Sequence, residues 1–167
     1  MKTLYIIRHA KSSWDAMNVD DFERPLNERG KRDAPRMAKR LKEKEIHPDL
    51  MITSPAKRAL STSKRIAKIL GYPKQNISEE RQLYHPDEET ILPVVQKFNN
   101  KFAHIILCSH NPGLTEFVNT LMDGEVDIDN VPTCGIVALR FETEQWSEIN
   151  WGLGKLLFFD YPKSKED

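Results

Sequence analysis

TLYIIRHA, residues 3–10, places an arginine and a histidine directly after a run of β-branched and aromatic residues. Such an apolar run is typical of a buried β-strand, so Thr3–Ile7 is predicted to be the first strand of a sheet. The strand delivers Arg8 and His9 together to its carboxyl end. Because ligands of open α/β sheets bind beyond the carboxyl ends of the strands, this stretch indicates a functional site as well as a fold.

Short apolar segments alternate with helical patterns along the rest of the chain. Asp49–Thr53 and His104–Cys108 have the composition of buried strands. Helices are predicted from apolar residues at helical spacing and from capping residues such as Asn27 and Gly71. The order predicts an α/β fold of three layers, in which helices flank a mostly parallel sheet. The predicted helices are Asn27–Lys44, Pro55–Leu70, Asp87–Phe98 and Pro112–Met122, and three further strands at the sheet edge are Gly135–Phe141, Ser147–Trp151 and Lys155–Asp160.

The composition limits the class of protein. The 167 residues are enough for one domain with a sizeable core, and we assign residues 1–162 to that domain and residues 163–167 to a charged tail. The 25 basic and 25 acidic residues give zero net charge, which provides no bulk attraction to nucleic acid or to an acidic membrane. The apolar N-terminal run is too short for a signal peptide or a membrane span, so a cytoplasmic location is expected. Cys108 and Cys134 lack the spacing of a zinc site or a disulfide framework.

Three of the predicted strands lead into residues that suit a phosphoryl group. Arg8 and His9 follow the first strand. Arg58 lies near the start of the helix after the second strand, and His110 follows the third. An arginine fork matches phosphate oxygens, and a neutral imidazole, which nearby arginine charge favours, can attack phosphorus. Each residue alone fits a structural role at least as well, but their coincidence at three strand ends favours a phosphoryl-transfer site.

Three motifs in this order, IIRHAKS, ITSPAKRALST and CSHNPGL, resemble the histidine phosphatase superfamily, which has the phosphoglycerate-mutase-like fold. The small size and the motif ERPLNERG are most similar to the SixA-type phosphohistidine phosphatases. The resemblance implies a minimal version of the fold without a large lid insertion. It implies that His9 accepts the phosphoryl group and that Arg8 and Arg58 clamp it. It also implies that His110 contacts the phosphate and that Arg24 lines the pocket.

Other positions complete or depart from the family pattern. Ser12 and Asn111 are further candidates for binding the substrate. Ala10 stands where the family usually has glycine, and its methyl group is expected to narrow the pocket without abolishing activity. The proton-donating glutamate of the family has no clear counterpart, since Gln82 falls near its expected place. The candidate proton donors are Asp21, Glu80 and Glu79.

These features predict a metal-independent phosphatase that works through a phosphohistidine intermediate and needs no cofactor. The expected substrate is a phosphorylated protein, with a histidine-phosphotransfer domain as one candidate, because an open site suits a phosphoryl group on a protein surface. The loop Asp15–Arg24 is the main candidate cover. One alternative is a small-molecule phosphomonoesterase or mutase that acts on a small phosphorylated metabolite at the same site. Another is a noncatalytic module that binds phosphorylated ligands.

Overall fold

Four helices cover the two faces of one six-stranded sheet in the computed structural model, which describes residues 1–14 and 19–164. Each helix begins and ends within two residues of the predicted bounds. The described ranges contain no helix that has both the length and the apolar composition of a membrane span. The strands are β1 (Lys2–Arg8), β2 (Leu50–Thr53), β3 (Ser78–Glu79), β4 (His104–Ser109), β5 (Ile136–Phe141) and β6 (Lys155–Asp160). The helices are α1 (Glu28–Glu43), α2 (Lys57–Leu70), α3 (Glu88–Gln96) and α4 (Gly113–Leu121).

The sheet is mostly parallel, which confirms the predicted fold class. Its strand order is β3-β2-β4-β1-β5-β6; the first four strands are parallel, and β5 and β6 are antiparallel to their neighbours. The parallel register places Arg8 opposite Ser109 and Thr53 opposite Cys108. The carboxyl ends of β1, β2 and β4 therefore meet at one edge of the sheet.

Each face of the sheet has its own apolar cluster. On one face, α1 buries Ala34, Met37, Ala38 and Leu41 at the predicted helical spacing, and α2 packs beside it. On the other face, α3 and α4 pack together with Trp146. The central strands are therefore buried on both sides, as their continuous apolar sequences require.

The prediction of a strand at Ser147–Trp151 is wrong. The chain forms a 3₁₀ turn at Trp146–Glu148, and β5 pairs directly with β6. The fully buried Trp146 explains the difference, because its indole Nε1 donates to the carbonyl oxygen of Phe102 at 2.8 Å and its ring packs edge-on against Phe98. Tertiary burial of this ring overrides the strand preference of the local sequence.

Two glycines allow helices to approach the loops beside the sheet edge. A Cβ atom on Gly30, in the first turn of α1, would lie 2.1 Å from the carbonyl oxygen of Lys11. A Cβ atom on Gly113, at the start of α4, would lie 1.9 Å from that of Pro86. Because both obstacles are backbone atoms, no larger residue fits unless the loop moves. The start of α1 is thus held against the segment that follows β1, and the start of α4 against the segment that follows the 3₁₀ turn Arg81–Leu83.

A buried ion pair connects the C-terminal segment to α1. Arg40 Nη1 lies 3.2 Å from Asp160 Oδ1 and donates to the carbonyl oxygen of Tyr161 at 2.9 Å. Arg40 Nη2 donates to the carbonyl oxygen of Pro162 at 3.1 Å. The first two residues of the predicted tail belong to the 3₁₀ turn Pro162–Ser164, and residues 165–167 lie outside the described residues.

We expect Arg40→Ala to lower the free energy of unfolding by about 3 kcal/mol, because it leaves the Asp160 carboxylate buried without its cation. Burial raises the pKa of Asp160, but Ser164 and Arg40 hold it below its ordinary value. The carboxylate therefore stabilises the fold at neutral pH, and this contribution is lost as the pH falls through the lowered pKa. Urea unfolding measures the change. Lys39→Ala removes an exposed cation from the same helix and should cost less than about 0.5 kcal/mol; an equal loss would contradict the role of the ion pair.

Candidate active site

Arg8 and His9 lie at the end of β1, at the sheet edge where β1, β2 and β4 meet. His9 is 7% exposed, and its Nδ1 donates to the carbonyl oxygen of Ala10 at 2.8 Å. Because a carbonyl oxygen can only accept, the proton of the neutral ring is on Nδ1 and Nε2 keeps its lone pair. The Ala10 N–H donates to Thr62 Oγ1 at 2.9 Å, which ties this turn to α2. The Ala10 side chain is fully buried in the cluster below α1 and α2, and its effect on the pocket stays a prediction.

The environment keeps His9 neutral at physiological pH. Burial lowers the pKa of His9 to about 3, opposed by the hydrogen bond to Ala10 and reinforced by the positive charges of Arg58, Arg8 and Arg24. The arginines lower the pKa of His9 as the sequence predicts, but burial contributes more to the low pKa than they do. The neutral imidazole is the form that can act as a nucleophile.

Arg58 lies in the first turn of α2 and is 1% exposed. Its Nη1 donates to the carbonyl oxygen of Asp21 at 2.6 Å, and its Nη2 donates to the Asp21 carboxylate at 3.0 Å. Lys57, one residue earlier, is exposed to solvent. Pro55 precedes the helix by two residues instead of lying in its first turn as predicted. The helix therefore brings the guanidinium of Arg58 to the site and leaves the ammonium of Lys57 outside it.

The ring of His110 lies beside that of His9, with ring centroids 5.1 Å apart. His110 is 1% exposed, and its Nε2 is hydrogen-bonded to Ser54 Oγ at 2.7 Å. The pKa of His110 is lowered to about 2, mainly by burial, with smaller contributions from the neighbouring His9, Arg58 and His85. The second histidine is therefore also neutral, and Ser54 at the end of β2 orients its ring.

Arg24 reaches the site from the end of the 3₁₀ turn Asp21–Glu23. Its Nη1 donates to Ser12 Oγ, and its Nη2 lies 3.3 Å from Asp21 Oδ1. The guanidinium carbon is 3.6 Å from the centroid of the exposed Trp14 ring. The structure thus places Ser12 against the pocket arginine, and a direct contact of Ser12 with substrate stays a prediction.

Asn111 uses its side chain within its own loop. Its Nδ2 donates to the carbonyl oxygen of Val131 at 2.9 Å, and its Oδ1 accepts from the N–H of Thr115 at 3.0 Å. Arg8 Nη1 donates to the same Val131 oxygen at 3.1 Å. Asn111 therefore orders the loop that holds Arg8, whereas its predicted contact with substrate stays untested.

Asp21 joins several of the polar side chains at this site. Its Oδ2 accepts from Tyr84 Oη at 2.7 Å, from His85 Nε2 at 2.7 Å and from Arg58. Burial raises the pKa of Asp21, but these three hydrogen bonds together hold it well below its ordinary range. Asp21 is therefore ionised at neutral pH, an arrangement that disfavours the predicted role of proton donor. Asp21 belongs to the predicted cover, Asp15–Arg24, of which residues 15–18 lie outside the described residues.

His85 lies among the site residues, beside His110 and Tyr84. Its ring centroid is 4.9 Å from that of His110 and 4.4 Å from that of Tyr84. Its φ of 46° is in the left-handed region, which few residues other than glycine adopt. The sequence gives only a weak indication that His85 belongs to the site. The residues LYHP, 83–86, are typical of an ordinary turn, and they do not indicate that this turn contacts Asp21.

The other candidate proton donors lie in the segment around β3. Glu80 accepts from the N–H of Gln82 at 3.2 Å and caps the 3₁₀ turn Arg81–Leu83. Glu79 and Gln82 are exposed to solvent. Within the described ranges, no hydrogen bond or ion pair connects Glu79 or Glu80 to His9, so their predicted role gains no geometric support.

The site is suited to a tetrahedral oxyanion. Four of its buried nitrogen atoms have no hydrogen-bond partner among the described residues: Nε of Arg8, Arg24 and Arg58, and Nδ1 of His110. A buried donor without a partner costs about 1–3 kcal/mol. Phosphoryl oxygens would supply charge-assisted acceptors for such groups. The arrangement therefore combines oxyanion binding with the free Nε2 of His9.

We expect Asp21→Asn to tighten competitive inhibition by inorganic phosphate about fivefold. The carboxylate contacts Arg58, one of the residues predicted to bind phosphate, and removing a like charge from a partly hydrated pocket relieves roughly 1 kcal/mol of repulsion. The inhibition constant is measured against hydrolysis of an aryl phosphate. Asp20→Asn is the matched control, since it removes a charge from the same turn while an amide can still accept from the Glu23 N–H. Equal tightening in both variants would contradict a specific role for Asp21.

Comparison with known proteins gives a family match and distant relatives. Residues 4–84 match the family described as the histidine phosphatase superfamily, branch 1. The chain is 27% identical over 155 residues to an uncharacterised chloroplastic protein of Arabidopsis thaliana. The matched region is 88% of this chain and 70% of that protein. It is 31% identical over 87 residues to a 2,3-bisphosphoglycerate-dependent phosphoglycerate mutase of Chelativorans sp. and spans 42% of the mutase's length.

Solved structures resemble this fold over nearly its whole length. A protein from Agrobacterium tumefaciens assigned as the phosphohistidine phosphatase SixA has a TM-score of 0.81 and 25% identity, with 96% of this chain and 98% of that chain covered. The protein histidine phosphatase SixA complexed with tungstate has a TM-score of 0.81 and 24% identity, with 96% and 97% covered. The chain therefore resembles the histidine phosphatase superfamily over nearly half of its sequence and has the compact fold of the solved SixA-type phosphatases.

Proposed function

We propose that the chain is a metal-independent phosphatase that transfers the phosphoryl group of a protein phosphohistidine to His9 and then to water. The observation that carries the proposal is the unprotonated Nε2 of a buried, neutral His9 beside three arginines. The Nε atoms of those arginines are buried and have no partner among the described residues. This combination supplies a nucleophile and charge stabilisation for the same phosphorus atom.

The reaction has two steps. In the first, His9 Nε2 attacks phosphorus, the P–N bond to the substrate imidazole breaks, and the leaving nitrogen takes a proton from solvent. In the second, water attacks the phosphorus of phospho-His9, the P–N bond to Nε2 breaks, and inorganic phosphate leaves. Arg8, Arg58 and Arg24 stabilise the charge on the phosphoryl oxygens in both steps. His110, neutral and oriented by Ser54, supplies a further contact.

Two features favour protein phosphohistidine over an alkyl phosphate. First, the ionised Asp21 is engaged with Arg58, Tyr84 and His85, and an imidazole leaving group needs a strong general acid less than an alkoxide does. Second, the chain has no large insertion relative to the compact SixA structures that it covers almost completely. A site without a large covering insertion suits a phosphoryl group displayed on a protein, such as a histidine-phosphotransfer domain.

A small-molecule phosphomonoesterase or mutase on the same site is the second candidate. The 74% exposed Trp14, stacked on Arg24, offers an apolar contact for the remainder of a metabolite. The match to the phosphoglycerate mutase covers under half of that protein, so it supports the shared machinery more than a shared substrate. The similarity to the histidine phosphatase superfamily disfavours the third alternative, a noncatalytic module. The cytoplasmic location stays a prediction.

The substrate class is tested with kcat/KM values. The panel contains a phosphorylated histidine-phosphotransfer domain together with sugar, glycerate and aryl phosphates. We expect the phosphoprotein to exceed every small substrate by about 100-fold or more, because only a protein surface supplies enough binding contacts at an open site. A metabolite hydrolysed near about 10⁷ M⁻¹s⁻¹, with the phosphoprotein untouched, would replace the proposal by the second candidate.

Metal independence has its own test. Because arginines supply the charge at the phosphoryl group, full activity should survive EDTA, and vanadate should inhibit by occupying the oxyanion site. In the described part of the chain, no group of three His, Cys, Asp or Glu side chains is arranged to hold an ion. Inactivation by the chelator that a divalent ion reverses would contradict the mechanism.

A further inference from the structure

The zero net charge conceals a strong segregation of charge along the chain. Residues 28–74 contain 14 basic and 5 acidic residues, a net charge of +9, and the remaining residues contain 11 basic and 20 acidic residues, a net charge of −9. Residues 28–74 include α1 and α2, which cover the same face of the sheet. The positive charge is therefore concentrated on one side of the molecule.

A groove of about 440 Å³ lies along α2 on this side, and we call it the basic groove. Four of its six lining residues are exposed cations, and none is acidic. Within the described ranges, none of the four cations is paired with a carboxylate. The lining residues are Ser61, Lys64, Arg65, Lys68, Tyr72 and Lys74.

The basic groove and the active site share the helix α2. Arg58 is the second residue of this helix, and Ser61 follows it by less than one turn. At 1.5 Å per residue, Lys68 lies about 15 Å from Arg58 along the helix axis. A molecule that covers the groove and reaches Arg58 must therefore extend well beyond the size of a small phosphomonoester.

The groove's charges do not stabilise the isolated protein. Lys64 and Lys68 are like charges at positions i and i+4 of a helix, a spacing that destabilises it. An opposing acidic surface would remove that repulsion and gain attraction instead. Complementary charge of this kind raises the rate of association and fixes the orientation of the partners.

We propose that the basic groove is the docking surface for an acidic face of the phosphoprotein whose phosphohistidine enters the active site. The inference rests on the proposed function and extends it, because it states how the protein substrate is recognised beyond its phosphoryl group. Binding along α2 orients the partner so that its phosphohistidine reaches His9. The groove adds contacts with the rest of the protein substrate to those made with the phosphoryl group.

The test compares two charge reversals of equal size. The groove variant is Lys64→Glu/Lys68→Glu, and the control is Lys97→Glu/Lys101→Glu, two exposed cations of the segment that begins at the end of α3 on the opposite face. Both variants are assayed on a phosphorylated histidine-phosphotransfer domain with an acidic surface and on p-nitrophenyl phosphate. Thermal unfolding shows that each variant is folded.

We expect the groove variant to lose at least about tenfold in kcat/KM for the phosphoprotein at low salt, mainly through KM, and to show a weaker dependence on ionic strength. Its kcat/KM for p-nitrophenyl phosphate should stay within about twofold of the wild type, since Lys64 and Lys68 lie outside the active site. The control should match the wild type on both substrates.

Three other outcomes overturn the proposal in distinguishable ways. If the wild type hydrolyses the phosphoprotein and both variants match it, the docking surface is wrong while the proposed function stands. If the wild type hydrolyses p-nitrophenyl phosphate but not the phosphoprotein, the protein-substrate function fails, and the docking surface fails with it. Binding of a DNA duplex to the wild type and to the groove variant is measured as well. If the groove variant loses DNA binding while its turnover of the phosphoprotein is unchanged, the groove binds nucleic acid and the proposal is overturned.

Discussion

His9→Ala should lower kcat by about 10⁴-fold or more on every substrate, because it removes the protein atom that forms a bond to phosphorus in the proposed mechanism. His9 Nε2 is the nucleophile in the first step and the leaving group in the second. The remaining arginines would still bind an oxyanion, so we expect vanadate to bind to the inactive variant. The rate of aryl phosphate hydrolysis under saturating substrate measures the loss.

Trapping the intermediate tests the same assignment by chemistry instead of rate. Rapid quenching of the wild type during turnover should give protein-bound phosphate that is stable in base and labile in acid, as expected for a phosphoramidate. His9→Ala should give none. His47→Ala is the control, since His47 is exposed to solvent and should keep full activity and the full amount of intermediate. A His9→Ala variant that retains substantial activity would refute the nucleophile.

The low pKa of His9 determines how kcat/KM should depend on pH. Because burial lowers the pKa of His9 to about 3, its neutral form persists down to roughly pH 4. Protonation of the free enzyme's nucleophile should therefore cause no loss of kcat/KM between pH 7 and pH 5 beyond that due to ionisation of the substrate itself.

Arg58→Lys should lower kcat/KM by about 10²- to 10³-fold, although it preserves the charge. Arg58 uses one terminal nitrogen for the Asp21 carbonyl oxygen and the other for the Asp21 carboxylate, and its buried Nε has no partner among the described residues. A lysine ammonium is a single point of contact and cannot hold Asp21 and a phosphoryl oxygen in the same planar geometry.

Two measurements separate this effect from a general loss of structure. Thermal unfolding of Arg58→Lys should show a folded protein whose vanadate affinity is reduced along with its rate. Lys57→Ala, on the exposed side of the same turn, should change aryl phosphate hydrolysis by less than about threefold. If Lys57→Ala is as damaging as Arg58→Lys, the assignment of the clamp to Arg58 is wrong.

Local sequence patterns were sufficient to predict most of the fold. Asn27 and Gly71 cap α1 and α2 at the predicted ends, with Asn27 Oδ1 accepting from the Gly30 N–H at 2.9 Å and Gly71 in the left-handed conformation. These signals involve residues within one helical turn of each other, so they act whatever the rest of the chain does. The segment at Trp146 could not be predicted in this way. Its alternating sequence suggests a strand, but the burial of Trp146 against Phe98 depends on tertiary packing.

The positions of Arg8, His9, Arg58 and His110 at one sheet edge were determined by the sequence itself. Each residue follows a strand, or begins the helix after one, and parallel strands bring their carboxyl ends together. The tertiary structure alone decided which groups surround them. Asp21 meets Arg58 across 37 residues and His85 across 64 residues of chain, and these contacts form only after loops between distant elements close. Burial, the main cause of the low pKa of His9, is likewise a property of the packed molecule, because it depends on atoms from every element that excludes water from the site.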